Sequence, residues 1–155
     1  QQPKPRLART RHRHQPVAVQ LARDIQLRLF VKKRGRRELA SENPVWAVAA
    51  SVFTVDRNAR LHRLTAATGE TMWAVDLPAY EDPEDREGVI SYGGPVVADG
   101  RVYLTSSDDA LLGFDAGTGE EITRAALPGG SVTGPAIAGG TLYVLSDDGV
   151  LHAFR

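Results

Sequence analysis

Between residues 91 and 155 the hydrophobic positions fall into short runs separated by glycine and acidic turns, and one phrase occurs twice. Gly94-Pro95-Val96-Val97-Ala98-Asp99-Gly100 returns as Gly134-Pro135-Ala136-Ile137-Ala138-Gly139-Gly140, 40 residues later. The match continues in phase, Arg101-Val102-Tyr103-Leu104 against Thr141-Leu142-Tyr143-Val144. Ser107-Asp108-Asp109 then meets Ser146-Asp147-Asp148 with a slip of one residue, and both copies close on an aromatic, Phe114 and Phe154. A fixed period of this size marks a repeat architecture and decides the fold class before any single element does.

Each copy reads as four short strands. The first is Val96 to Ala98, and Asp99-Gly100 is a hairpin signal of type I′. The second alternates through Val102-Tyr103-Leu104-Thr105 into a polar turn, and the third is Leu111-Leu112-Gly113-Phe114. The turn Asp115-Ala116-Gly117-Thr118-Gly119 needs positive φ, which glycine supplies without steric cost. The fourth runs from Glu121 to Leu127 and is closed by Pro128. Four antiparallel strands in about 40–45 residues is the size of a propeller blade. A looser copy begins at Asn43-Pro44 and runs to Thr68-Gly69-Glu70, 50 residues before Thr118-Gly119-Glu120. The ten extra residues sit in an acidic insertion, Ala79 to Gly88, expected to form an inter-blade loop.

Ala66-Ala67-Thr68-Gly69-Glu70-Thr71-Met72-Trp73 resembles the tryptophan-docking phrase of the PQQ-like repeat propeller family, and in the following copy Thr123 stands where Trp73 does. The final phrase, Gly139 to Arg155, and the linker Leu77 to Gly88 resemble the BamB branch of that family. The resemblance covers residues 38–155 and implies an all-β, partial β-propeller of four-stranded antiparallel blades: two full blades plus three strands of a last one. The expected spans are about 41–78, 91–128 and 131–155, with Thr68, Gly69, Trp73, Pro95, Thr118, Gly119 and Pro135 as structural repeat residues. It implies a non-catalytic, protein-binding scaffold of outer-membrane β-barrel assembly at the periplasmic face of that membrane. Its partners would be other components of the assembly complex, and its membrane attachment a lipid anchor absent from this sequence. An unpaired strand edge and an uncovered blade face are expected, so that the chain as given is not a stable monomer. PQQ-dependent dehydrogenases share the blade phrase and give the alternative reading, a propeller in an enzyme or sensor. They hold quinone and calcium on a larger propeller with residues not found here, so no cofactor is expected.

Charge divides the chain. Residues 1–42 carry twelve Lys/Arg against three acids, and the remaining 113 carry seven bases against sixteen acids, so the formal net charge of zero conceals a +9 and a −9 half. Two such halves rarely share one core. The basic stretch 1–37 is therefore set apart as non-propeller or mis-framed sequence. Val17, Leu21, Ile25 and Leu29 fit a helix, while Val19, Leu27 and Val31 fit alternation equally well. Clustered Lys/Arg could neutralise phosphates, a third function class. No base-reading module accompanies them, and no nucleic-acid partner is expected.

Candidate chemistry is sparse. There are no cysteines, which excludes a disulfide framework, Cys-type zinc and a thiol nucleophile. No stretch approaches the roughly 20 apolar residues of a membrane-spanning helix. Asp108-Asp109 and Asp147-Asp148 recur after a strand and read as turn formers before cation ligands. His62 and His152 fall at matching third-strand positions, and Ser91, Ser106 and Ser131 lie in repeat or turn contexts. No catalytic, cofactor or metal residues are assigned. The candidate for partner contact is the insertion, through Tyr80, Glu81, Asp82, Glu84, Asp85 and Arg86, where five acids between 81 and 87 face one base.

Overall fold

The computed structural model describes residues 39–41 and 43–155. The expectations for the basic segment 1–37 lie outside the described residues. Thirteen strands follow one another without a helix among the described residues. The first sheet runs in chain order through β1 (Trp46–Val48), β2 (Ser51–Val55), β3 (Arg60–Thr65) and β4 (Thr71–Asp76). The second repeats that order through β7 (Tyr92–Ala98), β8 (Arg101–Ser106), β9 (Ala110–Asp115) and β10 (Glu121–Ala126). The third has β11 (Ala136–Ala138), β12 (Thr141–Leu145) and β13 (Leu151–Phe154). All pairs are antiparallel and the register repeats with the sequence. Ala47 faces Val52, Val97 faces Val102 and Ile137 faces Leu142; on the next ladder Val52, Val102 and Leu142 face Leu64, Phe114 and Phe154. This is the expected partial propeller: two full blades and three strands of a third.

The turns explain the register. Asp99 and Gly100 have φ of 48° and 73°, the type I′ pair that matches strand twist. Gly139 and Gly140 repeat it at 57° and 71°, and Ala49 holds the first of these positions at 51°.

Strand alternation gives every blade two faces. Phe53, Val55 and Leu61 look forward onto Val102, Leu104, Leu112 and Phe114 of the second blade, forming the main apolar cluster with Leu77, Ile90 and Tyr92. From the second blade's other face, Leu111 meets Leu142 and Val144 of the third, with Tyr103 and Phe154 packed alongside. Blade two is therefore apolar on both sides, as a layer between layers must be. The equivalent forward face of blade three has nothing packed on it among the described residues, and Leu145 and Leu151 are 53% and 66% exposed.

Three readings of the sequence need correction. The innermost strand of blade two starts at Tyr92, not Val96, because Tyr92 and Gly93 pair with Ser106 and Thr105 across an irregularity near the Gly94-Pro95 bond. The acidic insertion is a two-stranded ribbon, β5 (Tyr80–Asp82) against β6 (Glu87–Val89), not a loop. The slip of one residue in the Ser-Asp-Asp turn disappears. Ser106 and Ser146, 40 apart, each donate through Oγ to the carbonyl of the residue four further on, and to Asp108 and Asp148 respectively.

Candidate functional site

Strand direction places the turns after β2, β8 and β12 on one rim, together with the inter-blade connections and the acidic ribbon. The Thr-Gly-Glu turns lie on the opposite rim.

The ribbon is built from its turn outward. Asp82 Oδ1 accepts the amides of Glu84 (2.9 Å) and Asp85 (3.2 Å), and Arg86 and Gly88 carry positive φ on the return. Tyr80 pairs with Val89 and Asp82 with Glu87. Glu81, Asp82, Glu84, Asp85, Arg86 and Glu87 are all exposed, and Val89 is 70% exposed. At the ribbon's base the Tyr92 hydroxyl donates to the Pro78 carbonyl at 2.7 Å. Burial, then the negative charge of Asp108, pushes the Tyr92 phenol above its ordinary pKa, so it remains a donor.

A cleft of about 420 Å³ opens between this base and the first blade, lined by Tyr80, Val89, Ser91 and Tyr92 on one side and Asp56 and Arg57 on the other. Asp56 and His62, six residues apart, meet across the turn between β2 and β3. His62 is buried on β3, and its Nε2 lies 2.8 Å from Asp56 Oδ2. Asp56 Oδ1 also accepts the amides of Asn58 and Arg60. Burial works to raise the Asp56 pKa, but the His62 contact, those two amides and the imidazole's charge outweigh it and leave the carboxyl below its usual range. A depressed carboxyl pKa stabilises the fold above the unfolded value, near 3.9, and that stability is lost as pH falls. Urea midpoints for the chain should therefore fall as pH drops from about 5 towards 3, with a flatter slope in Asp56→Asn; parallel slopes would remove Asp56 from acid sensitivity.

Thr68 and Thr118 receive the amides of Glu70 and Glu120 through Oγ1. Ser131 Oγ donates to Leu145 O, a bond repeated by Ser41 to Val55 O, whereas Ser91 contributes its backbone to Ser107. Pro95 follows a cis peptide bond, and Pro135 lines a hollow with Trp46 and Val96 of the innermost strands. His152 occupies the strand position expected for it on β13.

Trp73 is the docking residue between blades one and two. Its ring lies 5.9 Å from Phe53, its Nε1 donates to Ala116 O at 3.2 Å, and a Cβ added at Gly119 would meet the indole at 3.0 Å. Gly119, at φ 81°, thus provides both the turn and the floor of the indole site. Arg63, not singled out in the sequence, reaches the same carbonyl. It donates to Ala116 O at 3.0 Å and Gly117 O at 3.2 Å while holding Ser51 Oγ at 2.9 Å. Fifty residues on, Arg63 and Trp73 become Gly113 and Thr123. The second junction has lost both docking side chains, and there a cavity of about 330 Å³ lies between Tyr103, Leu111, Thr123 and Ala125 on one side and Ile137, Leu142 and Phe154 on the other.

Four-stranded sheets stacked face to face through a tryptophan seated on the next blade's Thr-Gly-Glu turn define a PQQ-repeat β-propeller. Comparison with known proteins narrows this. The family model described as outer membrane protein assembly factor BamB matches residues 57–155, and the chain belongs to that family. Among solved structures, BamB from Moraxella catarrhalis is similar at a TM-score of 0.56 with 23% identity, over 80% of this chain and 37% of that one. The quinohemoprotein alcohol dehydrogenase ADHIIG from Pseudomonas putida HK5 has a TM-score of 0.58 and 18% identity, over 70% of this chain and 17% of that one. The computationally designed Ika8 protein has a TM-score of 0.54 and 13% identity, over 71% and 31%. The chain thus spans little more than a third of the BamB structure, and at these identities the likenesses establish the fold alone. No curated protein matches the chain.

Proposed function

We propose that the chain is part of a non-catalytic, protein-binding scaffold of outer-membrane β-barrel assembly, acting at the periplasmic face of that membrane. The family match over residues 57–155 is the observation that carries this reading. Its mechanism is binding. The acidic ribbon stands out from one rim on a base fixed by the Tyr92–Pro78 bond and offers five carboxylates to a basic patch on a partner. A second mode is strand addition: β13 has no partner on its outer edge among the described residues. The expected propeller spans, about 41–78, 91–128 and 131–155, belong to this proposal.

The alternative, a quinoprotein propeller, draws on the fold shared with the alcohol dehydrogenase. No group of three or more His, Cys, Asp or Glu is arranged to hold a metal ion among the described residues. Binding to a detergent-solubilised barrel-assembly complex separates the readings. Glu81→Lys/Asp82→Lys/Glu84→Lys should weaken binding about tenfold or more, and wild-type binding should weaken as salt rises. Unchanged binding by the charge-reversed chain would remove the ribbon from the interface. Saturable uptake of pyrroloquinoline quinone with calcium, coupled to alcohol oxidation, would replace the scaffold reading with the enzyme one.

A further inference from the structure

The two inter-blade junctions are built on one plan and finished differently. Phe53, Leu61, Trp73 and Val75 of the first correspond, at a spacing of 50, to Tyr103, Leu111, Thr123 and Ala125 of the second. The receiving side keeps its shape too, with Phe154 at the position of Phe114, Leu142 at that of Val102 and Ile137 at that of Val97. In the first junction this frame is closed by an indole lying against an aromatic ring and seated on a glycine turn. In the second, the ring (Tyr103) and the apolar walls remain while the indole is replaced by a threonine and the guanidinium by a glycine. The residual space, about 330 Å³, falls within the range of sites that hold small organic groups. Cavities with apolar walls take up aromatic molecules of matching shape.

We infer that the groove between blades two and three is a receptor for one aromatic side chain, an indole above all, carried by a segment of a protein partner. The first junction is the template for the occupant, since the same frame there closes around a tryptophan. Thr123 sets the opening, because a larger side chain at that position would fill the groove from within. Arg101 and Asp99 stand at its mouth, and Arg155 is held there by its Nε–H donating to Thr141 Oγ1 at 3.1 Å. This inference rests on the protein-binding reading but is tested apart from any partner.

The probe is N-acetyl-tryptophanamide, titrated into the full native gene product and followed by the NMR signals of the Tyr103 and Phe154 rings. Saturable shifts at both rings on the order of 1 mM are expected, the range of one buried aromatic group. Thr123→Trp should weaken the response about tenfold or more, whereas Thr123→Val, which leaves the groove open, should stay within about twofold of wild type. Absence of saturable shifts at these rings, or equal binding by Thr123→Trp, would overturn the inference while leaving the scaffold reading intact. Indole binding combined with no affinity for the assembly complex would do the reverse.

Discussion

Replacing Trp73 by alanine should cost the chain about 3 kcal/mol in urea unfolding, whereas Thr123→Ala, at the equivalent place one blade later, should cost less than about 1 kcal/mol. The difference follows from what each side chain closes. The Trp73 ring packs on Phe53 and the Gly119 turn, and its N–H is bonded to Ala116 O. Truncation therefore leaves a cavity and withdraws one of the two donors that reach Ala116 O from blade one, with Arg63 retained as the other. Thr123 closes nothing, since its groove is already open. Equal costs at the two positions would contradict the role of Trp73 in closing the first junction.

The second large effect is expected at Gly134→Ala. A Cβ there would lie 2.8 Å from the Gly94 nitrogen and 2.9 Å from its Cα, contacts that no side-chain rotation relieves. Strand β7 and the segment leading into β11 would have to part, and a loss of about 3 kcal/mol is expected, at the upper end of overpacking. Gly100→Ala is the control: its Cβ would meet nothing within 4 Å, so its cost is the positive φ alone, about 1 kcal/mol. A ranking with Gly100→Ala as the more damaging change would contradict the close approach of blades two and three.

What was legible in the sequence was whatever repeats. The offsets of 50 and 40 placed the strands and both Thr-Gly-Glu turns, and Trp73 was readable as a docking residue because its phrase is shared by a family. The acidic insertion is visible in the sequence, but its two strands are not. Six charged residues hide the pairing of Tyr80 with Val89 and Asp82 with Glu87, which depends on backbone hydrogen bonds and on positive φ at Arg86 and Gly88. The His62–Asp56 pair joins residues six apart across a turn, a contact that no periodicity announces. Arg63 carried a usable signal, since an arginine and a tryptophan vanish together 50 residues later. Their shared acceptor, Ala116 O, is a backbone atom and leaves no trace in composition.

The reading of the chain as a binding scaffold is tested most directly inside the cell. A photo-crosslinking amino acid placed at Tyr80, at the base of the acidic ribbon, should join the native gene product to a component of the outer-membrane assembly machinery. The same group at Glu120, on the opposite rim, should yield no such adduct. Adducts of equal strength from both rims, or none from position 80, would contradict the account.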